Sequence, residues 1–393
     1  MPRTIPGIVY LLYPSPARKP RSESCPQRSS CRSFSPHQPP PFHPTVHSPT
    51  STHSTGVTGY IAGDALVSLH KHHPEYSYAC LVRTQEKANR VKAAFPNARI
   101  VLGDLDDSAL LEREAAWADI VLHAADASDH VGAAHAITRG LLRGHSKENP
   151  GYWIHTGGTG ILTFWDSRDD FRGLGRWSER QYDDLEGVGD LTSLPDDAFH
   201  RNVDRIVIGA GVESGGVVRT CVVCPPTIYG KGRGPVSGRG RQVYELAKLV
   251  LEKGYTPIVG EGKARWNNVH IEDLSEVYRL LGEKAVAGDA SDELWGEKGY
   301  ILTENGEHVW SDLARTVSAK AVEMGYISDA KEGSLDKDEA IKQAGFEAVS
   351  WGLNSRGKAG RARKYLGWKP AMPSIEDEVP NILRQERERM GKV

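Results

Sequence analysis

Thr55-Gly56-Val57-Thr58-Gly59-Tyr60-Ile61-Ala62-Gly63-Asp64 is the stretch on which the reading of this chain turns. A phosphate-binding turn between strand and helix needs glycine where the backbone bends sharply and where it approaches a pyrophosphate. It needs a small residue where the helix packs on the sheet. Gly56 and Gly59 take the first two places and Ala62 the third. The amides of a helix opening near Tyr60 then face the phosphates, where the helix dipole favours negative charge. Gly56, Thr58, Gly59, Tyr60 and Ile61 are the residues expected to hold the diphosphate.

Outward from this turn the pattern alternates. A helical run (65–71), an apolar strand (78–82), a second helix (86–94) and a strand ending in Gly103-Asp104 follow in order. Such alternation is what a parallel sheet with crossover helices requires. The expected fold is α/β: a Rossmann-like, doubly wound parallel sheet with a smaller C-terminal mixed α/β lobe.

Upstream, the pattern fails. Residues 1–54 hold twelve of the 23 prolines and a single acid, Glu23, so this segment is expected to be disordered. A Rossmann turn should follow a buried apolar strand, yet the residues before Gly56 read Ser-Pro-Thr-Ser-Thr-His-Ser-Thr. The first strand therefore reads as missing or displaced. Either Ile8 to Tyr13 supplies it through a long loop, which base rates disfavour, or the N-terminal segment is not the natural partner of the rest; the second is favoured.

Bulk composition sets outer limits. With 393 residues, 39% hydrophobic and 25% charged, the chain reads as a soluble protein of one large or two modest domains. A formal charge of −2 offers no field to gather nucleic acid. No apolar run reaches the roughly 20 residues that span a bilayer. Cys25, Cys31, Cys80, Cys221 and Cys224 suggest no disulfide framework, and Cys221-x-x-Cys224 falls in an apolar strand pattern. A reducing, cytoplasmic compartment is expected, and no metal.

Further along, each strand end supplies candidate residues. Arg83 closes the second strand where an acid would hold a ribose 2′-hydroxyl; an arginine there accommodates a 2′-phosphate and tilts the choice from NAD to NADP. Asp104 and Leu105 follow the third strand, with Asp107 a helix cap. The fourth strand, 119–125, ends in Ala124 and Ala125, small enough for the backbone to approach a cofactor. The fifth opens into Thr156-Gly157-Gly158-Thr159-Gly160, where a hydroxyl beside a nicotinamide is expected.

Together with Pro225-Pro226-Thr227-Ile228-Tyr229-Gly230 and Asn268-Val269-His270-Ile271-Glu272-Asp273-Leu274, these motifs resemble the extended short-chain dehydrogenase/reductase superfamily, which includes the NAD-dependent epimerases and dehydratases. The resemblance spans residues 55–370. It implies that Pro225, Thr227 and Ile228 lie by the nicotinamide, that residues 230–241 form a mobile substrate-side loop, and that a homodimer is possible. It also implies a Tyr-x-x-x-Lys pair on a helix here placed at 197–209, the tyrosine transferring a proton and the lysine lowering its pKa.

That pair is absent. His200 stands in the tyrosine's place and Asp204 in the lysine's, an i, i+4 pair on one helix face, and Thr156 or Thr159 replaces the usual serine. Thr159 and His200 are the catalytic candidates. In the loop, Lys231, Arg233, Arg239 and Arg241 either receive an anionic substrate or keep the loop soluble.

The divisions expected are a Pro/Ser-rich segment (1–54), a dinucleotide domain (55–235), a substrate-side lobe (236–380) and a charged tail (381–393). The function expected is an NAD(P)-dependent oxidoreductase or epimerase acting on a small aldehyde, ketone, alcohol or sugar nucleotide. The rival is a non-catalytic dinucleotide sensor, like the NmrA-like regulators, that keeps the fold and loses the chemistry.

Overall fold

The computed structural model describes residues 50–391. The chain enters the sheet at once through β1 (Ser51–Thr55), crosses by α1 (Tyr60–His72) to β2 (Ser77–Val82), and by α2 (Gln85–Ala94) to β3 (Arg99–Leu102). It then returns through α3 (Ser108–Trp117) to β4 (Ile120–His123), and through α4 (Val131–Gly144) to β5 (Gly151–Thr156). A 3₁₀ turn at Thr159–Thr163, α5 (Phe164–Phe171), β6 (Tyr182–Asp183) and α6 (Val188–Thr192) lead to α7 (Arg201–Glu213) and β7 (Val218–Cys224).

Next come β8 (Thr227–Tyr229), α8 (Gln242–Lys253), β9 (Thr256–Val259), β10 (Arg265–His270) and α9 (Ile271–Val286). The chain ends with β11 (Tyr300–Leu302), β12 (Glu307–Val309), α10 (Trp310–Glu323), β13 (Glu332–Leu335), α11 (Lys337–Ser350), β14 (Gly357–Lys358), α12 (Gly360–Leu366) and α13 (Ile375–Arg389).

Seven strands pair in the order β11-β7-β5-β4-β1-β2-β3, all parallel. The direction of winding reverses between β1 and β4. Right-handed crossovers from that point send α3, α4 and α7, packed in succession, to one face and α1 with α9 to the other. A second apolar core, drawn mainly from α8, α10, α11 and α13, forms a smaller lobe.

The first strand is neither missing nor displaced. Ser51-Thr52-His53-Ser54-Thr55 is β1, buried at every residue and hydrogen-bonded to β2 on one side and β4 on the other. Two ladders satisfy its backbone, so no apolar run is needed to hold it there. The hydroxyl of Ser51 bonds the Asp119 carboxylate (2.7 Å), and that of Thr55 bonds Nδ1 of His123 (2.7 Å). Residues 50–54 thus leave the segment expected to be disordered; Ile8 to Tyr13 and the rest of 1–49 lie outside the described residues.

Smaller boundaries also move. Residues 381–389 form the helix expected of the charged tail, but as the end of α13, continuous through Pro380, with Ile382, Leu383 and Glu386 buried, so it is docked where exposure was expected. Asp107 caps α3 as expected, accepting from Leu110 N–H (2.9 Å). At α9 the cap is His270, and Asp273 accepts from the amides of Ala371 and Met372. Among the described residues no helix is long and apolar enough to cross a membrane.

Candidate active site

In an open parallel sheet the strands on either side of a winding reversal send their connections to opposite faces, and a crevice opens beyond their carboxyl ends. Here that place lies past β1 and β4. Gly56 sits there at φ +80, and a Cβ on it would fall 2.8 Å from the Ala124 carbonyl and the Ala125 nitrogen. No other residue fits without moving the β4 end. Its carbonyl accepts from Gly59 N–H (2.7 Å), which closes the turn. The first amides of α1 have no side-chain cap, leaving the helix mouth open to an anion.

Two adjoining cavities of about 630 and 700 Å³ meet at this turn and share Gly59, Ala124 and Asp126. Gly56, Thr58, Arg83, Asp104, Leu105 and Ala125 line the first. Tyr60, Ile61, Thr156, Pro225 and Ile228 line the second, as do Thr159 and His200. Of the cofactor candidates, Thr227 alone lines neither. Strand residues alternate sides, and in β8 it is Ile228 that reaches the cavity, while the Thr227 hydroxyl is buried and donates to Gln242 (2.9 Å). Lys87, unnoticed in the sequence, lines the first cavity with Arg83.

The catalytic candidates are arranged otherwise than their spacing suggests. Helix α7 begins at Arg201, and His200 precedes it with a left-handed backbone, φ 65. His200 and Asp204 therefore do not share a helix face. Its Nδ1 instead bonds Oδ1 of Asp129 (2.8 Å), a residue of the loop after β4. Nε2 turns to the glycine loop, where Cβ atoms built on Gly160 and Gly158 would lie 3.4 and 3.6 Å away. The bond with His200 holds the Asp129 carboxyl below its usual range, so a charged acceptor fixes the Nδ1–H tautomer and leaves Nε2 to exchange a proton with the cavity. The signal for Asp129 was present in the sequence: an acid just past a strand, at the same end of the sheet.

Asp204 is fully buried beneath Gly157. Its Oδ2 accepts from the Tyr300 hydroxyl (2.8 Å), Oδ1 has no partner, and burial pushes its carboxyl up to about 6. It lines neither cavity, so the lysine's place has become structural. The two threonines also separate. The Thr156 hydroxyl is engaged by Tyr278 (2.7 Å), whereas Thr159, equally buried, has an unpartnered Oγ1. Tyr182 lies in β6 and accepts from the Trp165 indole (3.1 Å).

Residues 230–241 are anchored. Arg233 donates to buried Asp64 of α1 from its backbone (2.7 Å) and from Nε (3.1 Å), and also pairs with Glu272 (2.9 Å). Arg239 forks onto buried Glu386 (2.7 and 2.9 Å) and reaches Glu245 (2.8 Å); Arg241 pairs with Glu347. The arginines left open by sequence thus tie the loop to α1, α8, α11 and α13. Cys80, Cys221 and Cys224 are free and buried, their thiols pushed up by burial, that of Cys80 to about 12. Among the described residues no cluster of three or more His, Cys, Asp or Glu is placed to hold a metal.

No protein-family model matches the chain. It is 39% identical over 346 residues to oxidase ucsJ of Acremonium sp, covering 86% of this chain and 98% of that protein. An uncharacterised protein of Saccharomyces cerevisiae is 24% identical over 334 residues, covering 83% and 96%. Among solved structures, UDP-glucose 4-epimerase of Thermotoga maritima, determined with UDP-glucose, superposes with a TM-score of 0.57 at 13% identity, covering 87% of this chain and 100% of that one. A double mutant of the dTDP-glucose 4,6-dehydratase DesIV of Streptomyces venezuelae, with NAD bound, gives 0.58 at 16% identity, covering 86% and 98%. At such identities the likeness is one of fold.

Proposed function

We propose that the chain, which shares a family with oxidase ucsJ of Acremonium sp and its fold with NAD-dependent epimerases and dehydratases, is an NAD(P)-dependent oxidoreductase of the extended short-chain dehydrogenase/reductase kind in which His200, held by Asp129, exchanges the proton. One observation carries this reading: an imidazole clamped on a carboxylate (2.8 Å) lines the same cavity as Gly59 of the phosphate turn. A nicotinamide dinucleotide fits the residues present. The Gly56 cradle and the uncapped α1 mouth suit a diphosphate, and bound there the dinucleotide supplies two-electron hydride exchange.

Oxidation of an alcohol breaks its C–H bond, the electron pair leaving with the hydrogen, and its O–H bond, the proton passing to His200 Nε2; a carbonyl forms. Thr159, whose hydroxyl is buried without a partner, donates to the substrate oxygen once its side chain turns into the cavity. Asp129 holds the ring's tautomer and stabilises the imidazolium that the proton creates, a role with no lysine in it. Arg83 and Lys87, with no acid at the end of β2, favour NADP over NAD.

Calorimetric titration of the full chain with all four nicotinamide dinucleotides tests the binding half. NADPH is expected to bind most tightly, and Arg83→Ala to weaken it roughly tenfold to a hundredfold with little change for NADH, the loss of a charge-assisted hydrogen bond. In turnover assays Asp129→Asn is expected to lower kcat about tenfold to a hundredfold, and His200→Gln by roughly 10² to 10⁴, both with dinucleotide affinity unchanged. The second reading, a dinucleotide sensor, is favoured by the burial of Asp204 away from the cavity. It requires that bound cofactor stay chemically unchanged against every alcohol and carbonyl offered.

A further inference from the structure

The far end of the larger cavity carries a chemistry of its own. Phe199 and Phe346 both line it and are 39% and 40% exposed, with ring centroids 4.9 Å apart and planes 35° from parallel. Large apolar side chains left this open inside a concavity are unusual unless something covers them. Each is delivered by a left-handed residue. His200, at φ 65, precedes α7 and turns Phe199 beside the imidazole, the two rings 5.6 Å apart edge to face. Gly345, at φ 60, interrupts α11 just before Phe346. Nothing lies within 4 Å of where a Gly345 Cβ would be, so backbone conformation alone calls for glycine there. Trp266, buried with its indole N–H unpartnered, lines the same space.

Charge at this end is already spent. Arg239 is forked on a buried carboxylate, Arg241 is paired with Glu347, and Asp129 adds a further carboxylate to the lining. A diphosphate needs guanidinium or ammonium groups not already taken by carboxylates. Here it would meet the acids Asp129 and Glu347 and two arginines already paired with carboxylates.

We propose, resting on the acid–base reading of His200, that the substrate is an uncharged, ring-bearing alcohol or ketone covered by Phe199 and Phe346, and that a nucleoside-diphosphate sugar is excluded. The rings bury the substrate's apolar body and set its oxygen beside Nε2 of His200.

Calorimetry on the full chain saturated with NADP⁺, where a ketone binds without turning over, tests this with acetophenone, 1-tetralone and UDP-glucose as probes. The two ketones should bind saturably, 1-tetralone more tightly, and UDP-glucose should give no saturable heat. Phe199→Ala and Phe346→Ala should each weaken 1-tetralone about three- to tenfold and leave the NADP⁺ affinity within twofold. Phe199→Leu and Phe346→Leu should recover most of the loss, and matching thermal melts show that the variants fold. Saturable UDP-glucose binding weakened by Arg241→Ala, no binding of either ketone, or ketone affinity indifferent to both alanine variants would overturn the proposal. Failure of NADP⁺ itself to bind strikes instead at the oxidoreductase reading, and the ketone titrations without dinucleotide then decide the aromatic clamp separately.

Discussion

A carboxylate at residue 204 alters what its neighbourhood can do. In a fully buried site with one oxygen unpartnered, the ionised form loses hydration that a single tyrosine hydroxyl does not replace. Its carboxyl is raised from 3.8 to about 6. A raised carboxylate favours the fold when protonated, so this contribution fades as pH climbs from about 4 through 6, and at pH 7 the charge is a cost of about 2–3 kcal/mol. Asp204→Asn keeps an acceptor for Tyr300 and removes the charge. The variant is expected to unfold at higher urea than the parent at pH 7.5, with the gap about halved at pH 5 and closed near pH 4, and to bind dinucleotide unchanged. A variant less stable than the parent at pH 7.5 would mean that the ionised carboxylate does structural work unseen in its contacts. Residues 200 and 204 were legible as the altered pair because their spacing is fixed by the chain. Their partners were not, since Asp129 and Tyr300 are 71 and 96 residues away, brought close only by the order of the strands.

At the scale of elements, the same contrast explains the first strand. Hydrophobic periodicity finds strands whose faces pack on apolar neighbours. β1 is a central strand made of hydroxyls and an imidazole, and its apolar surroundings come from the elements around it. Elements with periodic apolar faces were legible to within a few residues: α8 begins and ends where its pattern does, at 242 and 253, β5 extends one residue beyond each end of the run 152–155, and β7 lies within the run 216–224. Polar β1 shows no such pattern, although its threonines suit an extended backbone. Its polarity also has a cost, because Thr52 Oγ1, Ser54 Oγ and both His53 nitrogens are buried without partners. Thr52→Val keeps the shape and removes an unpaired hydroxyl, so it should stabilise the fold by about 1 kcal/mol, read as a rise in urea midpoint at constant slope. A loss of stability would show that Thr52 has a partner, such as a water, in solution.

For the whole molecule, the largest consequence of burying polar groups is its response to acid. His53, His123 and His155 lie on the adjacent strands β1, β4 and β5, and His308 on β12; all four are fully buried. Burial lowers His53 to about 4, with Glu114 raising and Arg99 lowering it further, lowers His123 and His308 to about 3, and lowers His155 well below the usual value. In the unfolded chain each titrates near 6.5. Below that pH the unfolded state takes up protons that the fold refuses, so the stability these residues contribute is present above pH 6.5 and is lost as pH falls towards 4. Asp184 and Asp204, both raised to about 6 by burial, act oppositely, because the fold keeps their protons while the unfolded chain releases them down to about pH 4. These four histidines against two carboxylates leave the unfolded state about two protons richer near pH 5, and His270, also lowered by burial, acts in the same direction. At roughly 1.4 kcal/mol per proton per pH unit, stability should fall by about 3 kcal/mol between pH 6 and 5, a large share of the 5–15 kcal/mol typical of a folded protein. Urea midpoints from pH 8 to 4.5 measure that slope. His53→Leu isolates one contributor, since neither ring nitrogen has a hydrogen-bond partner to lose. It should reduce the proton uptake on unfolding by about one. A variant with the parent's slope would mean that His53 is already protonated in the fold, stabilised by Glu114 more than burial penalises it.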